Sequence, residues 1–180
     1  MLSYKNYRAR LLEEDDLDFI TSLRTSEFVQ NNVGNFIFTN KVLQKEWLYN
    51  ISKSKSENFL IFEIAKDSGY KKIGMIRLSC IDRVHRNMCV GGDIAEEYAG
   101  QGHGKFMYEL IFKIGFNIWG MHRLWLFVLA NNQRAINLYE KMGFVHEGKQ
   151  RESRYKDGQY VDYLMMGILE KEYDAKLSTN

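Results

Sequence analysis

Residues 98–105 have the sequence Tyr-Ala-Gly-Gln-Gly-His-Gly-Lys, and this stretch decides how the chain folds. Glycines at alternate positions, Gly100, Gly102 and Gly104, allow a tight turn in which several backbone N–H groups can point at one anion. A helix that begins at about Gly102 would add its unpaired first-turn N–H groups and the positive end of its dipole. The stretch predicts a phosphate-binding loop at a helix N-terminus, while plain packing is the alternative reason for such glycines.

Hydrophobic periodicity places this loop between a strand and a helix. Residues 88–95 form a β-rich run before the loop, and residues 123–129 form another strand further on. Between them, apolar residues recur at helical spacing up to about Gly120; they are Met107, Leu110, Ile111, Ile114 and Ile118. A strand, a loop, a helix and a second strand make a crossover unit, so we expect the two strands to lie parallel.

The other segments complete an α/β (α+β) fold with the order β-α-α-β-β-β-α-β-α-β-β. This order gives about seven strands and four helices in a mixed sheet, antiparallel at first and parallel beside the glycine loop. The further predicted elements are a strand at 7–12, a helix opened by residues 13–16, a helix capped by Thr39 or Asn40, a hairpin of strands 58–66 and 72–81, a helix at 132–142 closed by Gly143, and a terminal hairpin of strands 144–150 and 160–169.

Composition narrows the class of protein. A chain of 180 residues with 45% hydrophobic residues fits a single domain over residues 1–180, with a folded core at about 4–172 and a short C-terminal tail. A net charge of +2 gives no reason to expect a nucleic-acid or membrane surface. Cys80 and Cys89 lack the spacing of a metal site or a disulfide framework, and no signal peptide or spanning segment is evident. We therefore expect a cytoplasmic protein without metal.

A second segment makes the pattern specific. Residues 130–144 have the sequence Ala-Asn-Asn-x-x-Ala-Ile-x-Leu-Tyr-x-Lys-Met-Gly-Phe. Together with the glycine loop, it resembles the GNAT superfamily of acetyl-CoA-dependent N-acetyltransferases, in the branch that includes ribosomal-protein N-terminal and spermidine acetyltransferases. The resemblance implies a partly splayed sheet, acetyl-CoA as co-substrate, and a strand that pairs with the pantetheine arm, and the Gly91–Gly92 pair fits a bulge in that strand. The residues it implies for CoA binding are Gly92, Asp93, Ile94, Gly100, Gln101, Gly102, His103, Gly104, Lys105 and Asn132.

Acetyl transfer to an amine requires a base for the ammonium and an acid for the departing sulfur. Tyr139 matches the tyrosine that serves as this acid in the family, although an ordinary packing role is the alternative. Relatives often carry a glutamate base where this chain has Cys89, and a thiol is a poor substitute. Asp93 shares a face with Cys89 unless a bulge shifts it, and we take Asp93 as the candidate base. His85 and a water chain to solvent are the other options.

The acceptor pocket is predicted to involve Phe36 and Arg77. Residues 25–40 contain one acid, Glu27, and Arg77 occupies a position where spermidine-acetylating relatives appear to carry a glutamate. A polycation needs several carboxylates, so this lining favours a primary amine of another small molecule, such as an amino sugar with or without a linked nucleotide. Polyamine acetylation, N-terminal acetylation of a protein or peptide, and a non-catalytic acetyl-CoA-binding module are the alternatives. Phe36 could equally pack against a partner subunit, which leaves a homodimer open.

Overall fold

The structure is a computed structural model that describes residues 1–33 and 38–177. Phe36, one of the predicted pocket residues, therefore lies outside the described residues. The strands are β1 (Leu2–Tyr4), β2 (Tyr7–Leu11), β3 (Asn58–Lys66), β4 (Gly69–Asp82), β5 (Asn87–Ile94), β6 (Arg123–Leu129), β7 (Val145–Lys156) and β8 (Gln159–Leu169). The α-helices are α1 (Leu17–Thr25), α2 (Glu27–Asn32), α3 (Lys41–Lys53), α4 (His103–Phe112), α5 (Gln133–Met142) and α6 (Glu170–Leu177).

The eight strands form one sheet in the order β1-β2-β3-β4-β5-β6-β8-β7. Strands β5 and β6 run parallel, as the crossover unit predicts, and the other neighbours are antiparallel. The parallel pairing covers only three residue pairs, from Asn87–Arg123 to Cys89–Trp125. Beyond Cys89 the two strands separate, so a first half of the sheet (β1–β5) diverges from a second half (β6, β8 and β7). The splayed mixed sheet of the GNAT fold is thereby confirmed.

Each face of the sheet carries its own apolar layer. Alternating residues of the central strands divide between the faces, because successive side chains of a strand point in opposite directions. Ile61 and Met75 pack with α1 and α2, whereas Phe62 and Ile76 pack with α4. The loop between β5 and α4 thus leads from the sheet directly into a helix that covers one face.

Helix α4 buries the apolar residues predicted by helical periodicity in its first turns, but the periodicity fails at its end. Met107, Leu110 and Ile111 are fully buried, as their spacing predicts. A π-helical turn, Lys113–Ile118, continues the helix. Because the extra residue per turn shifts the angular phase, Phe116 is buried and Ile118 is 56% exposed, so the predicted apolar stripe ends before Ile118.

Local capping chemistry confirms several predicted boundaries. The Asn40 side chain accepts hydrogen bonds from the N–H groups of Val42 and Leu43, both at 3.0 Å, and caps α3. Gly143 has a positive φ of 100° and ends α5. The sequence did not predict β1, α2 or α6. Within the described ranges, no helix is long and apolar enough to cross a membrane.

The predicted bulge at Gly91–Gly92 is wrong. Both glycines pair in regular register, opposite Arg77 and Ile76, and the irregularity lies between Ser79 and Asp82. Close packing explains the glycines instead. A Cβ on Gly91 would lie 2.6 Å from Nη2 of Arg77, and a Cβ on Gly92 would lie 2.4 Å from Sδ of Met107 in α4.

Candidate active site

A cavity of about 1250 Å³ occupies the gap between the two halves of the sheet. It extends from the glycine loop to the residues of α1 and α2, and strands of both halves line it. Backbone groups of β5 beyond Cys89 have no β6 partner on the gap side, because the parallel pairing stops there. A ligand with its own amide groups could therefore extend the sheet at this point, which fits the predicted role of Gly92, Asp93 and Ile94.

The glycine loop has the geometry of an anion site. Gly100 and Gly102 have φ values of +80° and +85°, which is the left-handed region that favours glycine. No atom lies within 4 Å of a Cβ built on either residue, so conformation rather than crowding explains both glycines. Gly102 is the N-cap of α4 and no side chain caps this end. The N–H of Lys105 donates to the Gly102 carbonyl at 3.2 Å, whereas those of His103 and Gly104 precede this first hydrogen bond of the helix. These two N–H groups can bind a phosphate, so the loop fits the pyrophosphate of CoA.

Gly104 has a different function in the loop. Its Cβ would lie 2.8 Å from Cδ2 of Leu138, so this glycine allows α4 to pack closely against α5. The alternative reading of the glycines as packing residues therefore applies to Gly104 alone.

Two side chains of the loop are engaged by residues outside it. Nδ1 of the buried His103 lies 2.8 Å from the Tyr7 hydroxyl, and burial lowers the pKa of the imidazole. The Gln101 amide donates to the carbonyl of Glu97 at 2.7 Å. Lys105 is exposed at the mouth of the cavity. The loop consequently offers mainly backbone groups, as expected for the pyrophosphate cradle.

Asn132 lines the cavity at the N-terminus of α5. Its side-chain oxygen accepts from the N–H of Ala135 at 3.1 Å and caps the helix. Its amide nitrogen donates to the carbonyl of Asn32, the last residue of α2, at 3.3 Å. The side chain is therefore shared between two helices on opposite sides of the gap.

Tyr139 of α5 and Asp93 of β5 line the same cavity. Burial raises the pKa of the Tyr139 phenol above its ordinary value of 10.0, so the hydroxyl is protonated at neutral pH and can donate a proton. The ring of Tyr108 packs edge-on against it, with 5.3 Å between the ring centroids. The predicted acid and the predicted base are thus brought together from segments 46 residues apart in sequence.

The regular register shows on which face of β5 the candidate bases Asp93 and Cys89 lie. Asp93 lies opposite Met75 and Cys89 lies opposite Ser79, so Asp93 and Cys89 share one face. Burial raises the pKa of Asp93, while the nearby Arg77 and Arg24 lower it. Burial also raises the pKa of the Cys89 thiol, which therefore stays protonated at neutral pH.

His85 lies elsewhere. It is exposed in the β4–β5 turn, where its Nδ1 lies 2.8 Å from Asp82, and it is not among the residues that line the cavity. Of the side chains considered as bases, Asp93 alone combines a place in the cavity with the chemistry of a base.

In the part of the chain that the structure describes, four arginines line the cavity: Arg134 of α5, and three at its acceptor end, the part lined by α1, α2, β4 and the aromatic residues of β6 and β8. Arg77 packs over Gly91, Arg24 lies 4.5 Å from the ring centroid of Trp47, and Arg154 lies 4.3 Å from that of Tyr163. Arg77 was predicted and the other two were missed. Arg24 follows Ile20 by four residues and so sits on the apolar stripe of α1; a charged residue at a core position was the available signal.

Three aromatic side chains, Trp125, Phe127 and Tyr163, line the acceptor end and are called the aromatic row below. Phe127 packs against Trp125 and Tyr163, with centroid distances of 5.6 and 5.1 Å. These rings belong to β6 and β8 of the second half of the sheet and are half-buried. They offer a flat apolar surface next to Arg154.

Fold and site together define an acetyl-CoA-dependent N-acetyltransferase. The family model described as "Acetyltransferase (GNAT) domain" matches residues 8–145, and the chain belongs to this family. The resemblance seen in the sequence is confirmed. The non-catalytic alternative is set aside, because the curated relatives are enzymes by name.

The relatives whose names state an acceptor include polyamine enzymes and a putative ribosomal enzyme. The chain is 30% identical over 169 residues to a spermidine N(1)-acetyltransferase of Vibrio cholerae, covering 91% of this chain and 93% of the relative. It is 27% identical over 103 residues to a putative ribosomal N-acetyltransferase of Bacillus subtilis, covering 57% of this chain and 56% of that one. A crystal structure of the Vibrio cholerae spermidine N-acetyltransferase with CoA and spermine superposes with a TM-score of 0.89 at 27% identity, covering 94% of this chain and 99% of that chain. The names of the two spermidine enzymes favour the polyamine alternative over the amino-sugar prediction.

Proposed function

We propose that this acetyltransferase transfers the acetyl group to a primary amine of a small molecule that also carries an anionic group, such as a nucleotide-linked amino sugar. The observation that carries the proposal is the charge at the acceptor end: Arg24, Arg77 and Arg154 against one carboxylate, Asp93. These half-buried arginines can bind a phosphate or carboxylate through charge-assisted hydrogen bonds. The aromatic row beside Arg154 provides an apolar surface for a sugar or base ring.

A polyamine is the second candidate, and the relatives named above favour it. Aromatic rings also attract cations, so the aromatic row fits this acceptor as well. The cavity charges oppose it, because the second and third ammonium groups would lie among arginines with Asp93 as the one carboxylate among the lining residues. Residues 34–37 change nothing in this balance, since Gly, Asn, Phe and Ile carry no charge.

In the proposed mechanism, bound acetyl-CoA supplies the acetyl thioester. Asp93 accepts a proton from the acceptor ammonium, because burial has raised its pKa toward the range of a useful base. The freed amine nitrogen then bonds to the acetyl carbon as the carbon–sulfur bond breaks. The excess proton on the new amide nitrogen and the proton held by Asp93 are released to solvent. Tyr139 donates its phenolic proton to the departing sulfur and is later reprotonated by solvent.

The experiment is a thiol-release assay with three acceptors: a uridine-diphosphate amino sugar, the same amino sugar without nucleotide, and spermidine. We expect the highest kcat/KM for the nucleotide-linked amine. Arg77→Gln should lower that value about 10-fold to 100-fold, since a charge-assisted hydrogen bond contributes about 1.5–3 kcal/mol. It should leave the free amino sugar nearly unchanged. Arg151→Gln, an exposed arginine of β7 outside the cavity, is the matched control.

Preference for spermidine in the unmodified enzyme would establish the second candidate and refute the first.

Two further predictions from the sequence stay predictions: that the protein is located in the cytoplasm, and that it forms a homodimer.

A further inference from the structure

Helix α2 forms one wall of the acceptor end, although it is only six residues long. Phe28, Val29 and Asn32 of this helix line the cavity, and Arg24 of the adjoining α1 does so as well. The chain connects α2 to α1, which packs on the first half of the sheet. In the order of the chain, α2 lies between α1 and α3, and neither of these helices belongs to the second half of the sheet.

Lys156 connects α2 to the second half of the sheet through hydrogen bonds. It is the last residue of β7, at the tip of the β7–β8 hairpin, and its ammonium donates to the carbonyls of Gln30, at 2.9 Å, and Asn31. The last carbonyls of a helix have no partner within the helix and lie at the negative end of its dipole. A lysine at this position therefore adds a positive charge and two hydrogen bonds at the negative end of α2.

Two further contacts join α2 to the second half of the molecule. Asn132 of α5 donates to the carbonyl of Asn32, and the guanidinium of Arg134 lies 5.6 Å from the ring centroid of Phe28. All three contacts cross the gap between the halves of the sheet. Lys156 is the one whose side chain belongs neither to α5 nor to the lining of the cavity.

We propose that Lys156 is a positioning residue that holds α2 across the gap and thereby fixes the width of the acceptor end. The inference rests on the proposed amine acetylation, but it does not depend on which amine is used. Without the lysine, the cross-gap contacts of α2 among the described residues would be those with Asn132 and Arg134 at the N-terminal end of α5. The acceptor end should then widen while the glycine loop, on the other side of the sheet, keeps its geometry.

The test compares Lys156→Met with Lys156→Arg, which restores a donor, and with Lys149→Met, which removes a cation of β7 that pairs with Asp162 instead of α2. For Lys156→Met we expect KM for the amine to rise about tenfold with KM for acetyl-CoA within about twofold. Lys156→Arg should recover most of the affinity, and Lys149→Met should behave as the unmodified enzyme.

Hydrogen–deuterium exchange gives a readout that needs no turnover. Amides of residues 27–32 should exchange faster in Lys156→Met, and those of residues 103–112 should not change. Unchanged exchange in α2, or an equal rise in both KM values, would overturn the inference. Absence of turnover in the unmodified protein would instead refute the proposed function and leave the exchange result to decide on Lys156.

Discussion

Replacement of Gly92 by alanine tests how closely α4 packs on β5. The added Cβ would lie 2.4 Å from Sδ of Met107 and 2.8 Å from the carbonyl oxygen of Met75. The methionine sulfur belongs to a flexible side chain, but Met107 is 1% exposed and has little room to move. The Met75 oxygen belongs to the backbone of β4, which is fixed by pairing with β5. Reaching ordinary contact requires a backbone shift of about 0.6 Å.

Overpacking of this kind costs about 1–3 kcal/mol of the free energy of unfolding. For a chain of this length, each kcal/mol corresponds to a change in Tm of about 2–4 °C. We therefore expect Gly92→Ala to lower Tm by about 2–12 °C. It should also weaken CoA binding, because α4 carries the glycine loop at its N-terminus.

The assay is thermal unfolding followed by circular dichroism, with CoA titration by calorimetry on the same samples. Gly148→Ala is the control, since nothing lies within 4 Å of a Cβ there and its φ is not positive. Its unfolding free energy should stay within about 0.5 kcal/mol of the unmodified protein. Equal Tm values for the two variants would refute the packing argument.

Three other changes test the site. Gly102→Val places a β-branched side chain at φ +85°, so CoA affinity measured by calorimetry should fall at least tenfold; retained affinity would mean that the anion site is elsewhere. Tyr139→Phe should lower kcat about 100-fold with CoA affinity unchanged, and an unaltered kcat would remove Tyr139 from the mechanism. Asp93→Asn should lower kcat and abolish the acidic limb of the kcat–pH profile. Folding raises the pKa of Asp93, so the folded state favours the protonated acid over the carboxylate. The amide mimics the neutral acid, and Asp93→Asn should therefore raise Tm at pH 8, where Asp93 is ionised, with a gain that vanishes near pH 4. A lower Tm at pH 8 would contradict this reasoning.

Features set by local chemistry could be predicted from the sequence. The Asn40 cap and the Gly143 terminus follow from residues within one turn of each boundary. The glycine loop and Tyr139 were found because each belongs to a contiguous motif. In these cases the residues that determine the structure are neighbours in the chain.

Features set by distant contacts could not be predicted. The Gly91–Gly92 bulge was wrong because the reason for a small residue there is the guanidinium of Arg77 on the opposite strand. Helix α2 was missed because six residues carry little periodicity, and part of its support comes from Lys156, which is 126 residues away from Gln30. The position of Arg24 in the cavity likewise depends on how α1 packs.

The three-pair junction between β5 and β6 has a consequence for how long the protein survives in the cell. A junction this short leaves peptide groups of β5 without a β6 partner in the middle of the sheet. If the pantetheine arm pairs with them as predicted, the loaded protein should be the more durable form. Mass action sets the gain: at a free ligand concentration one hundred times Kd, it is about 2.7 kcal/mol. Proteolysis of the protein should accordingly slow as the concentration of acetyl-CoA rises.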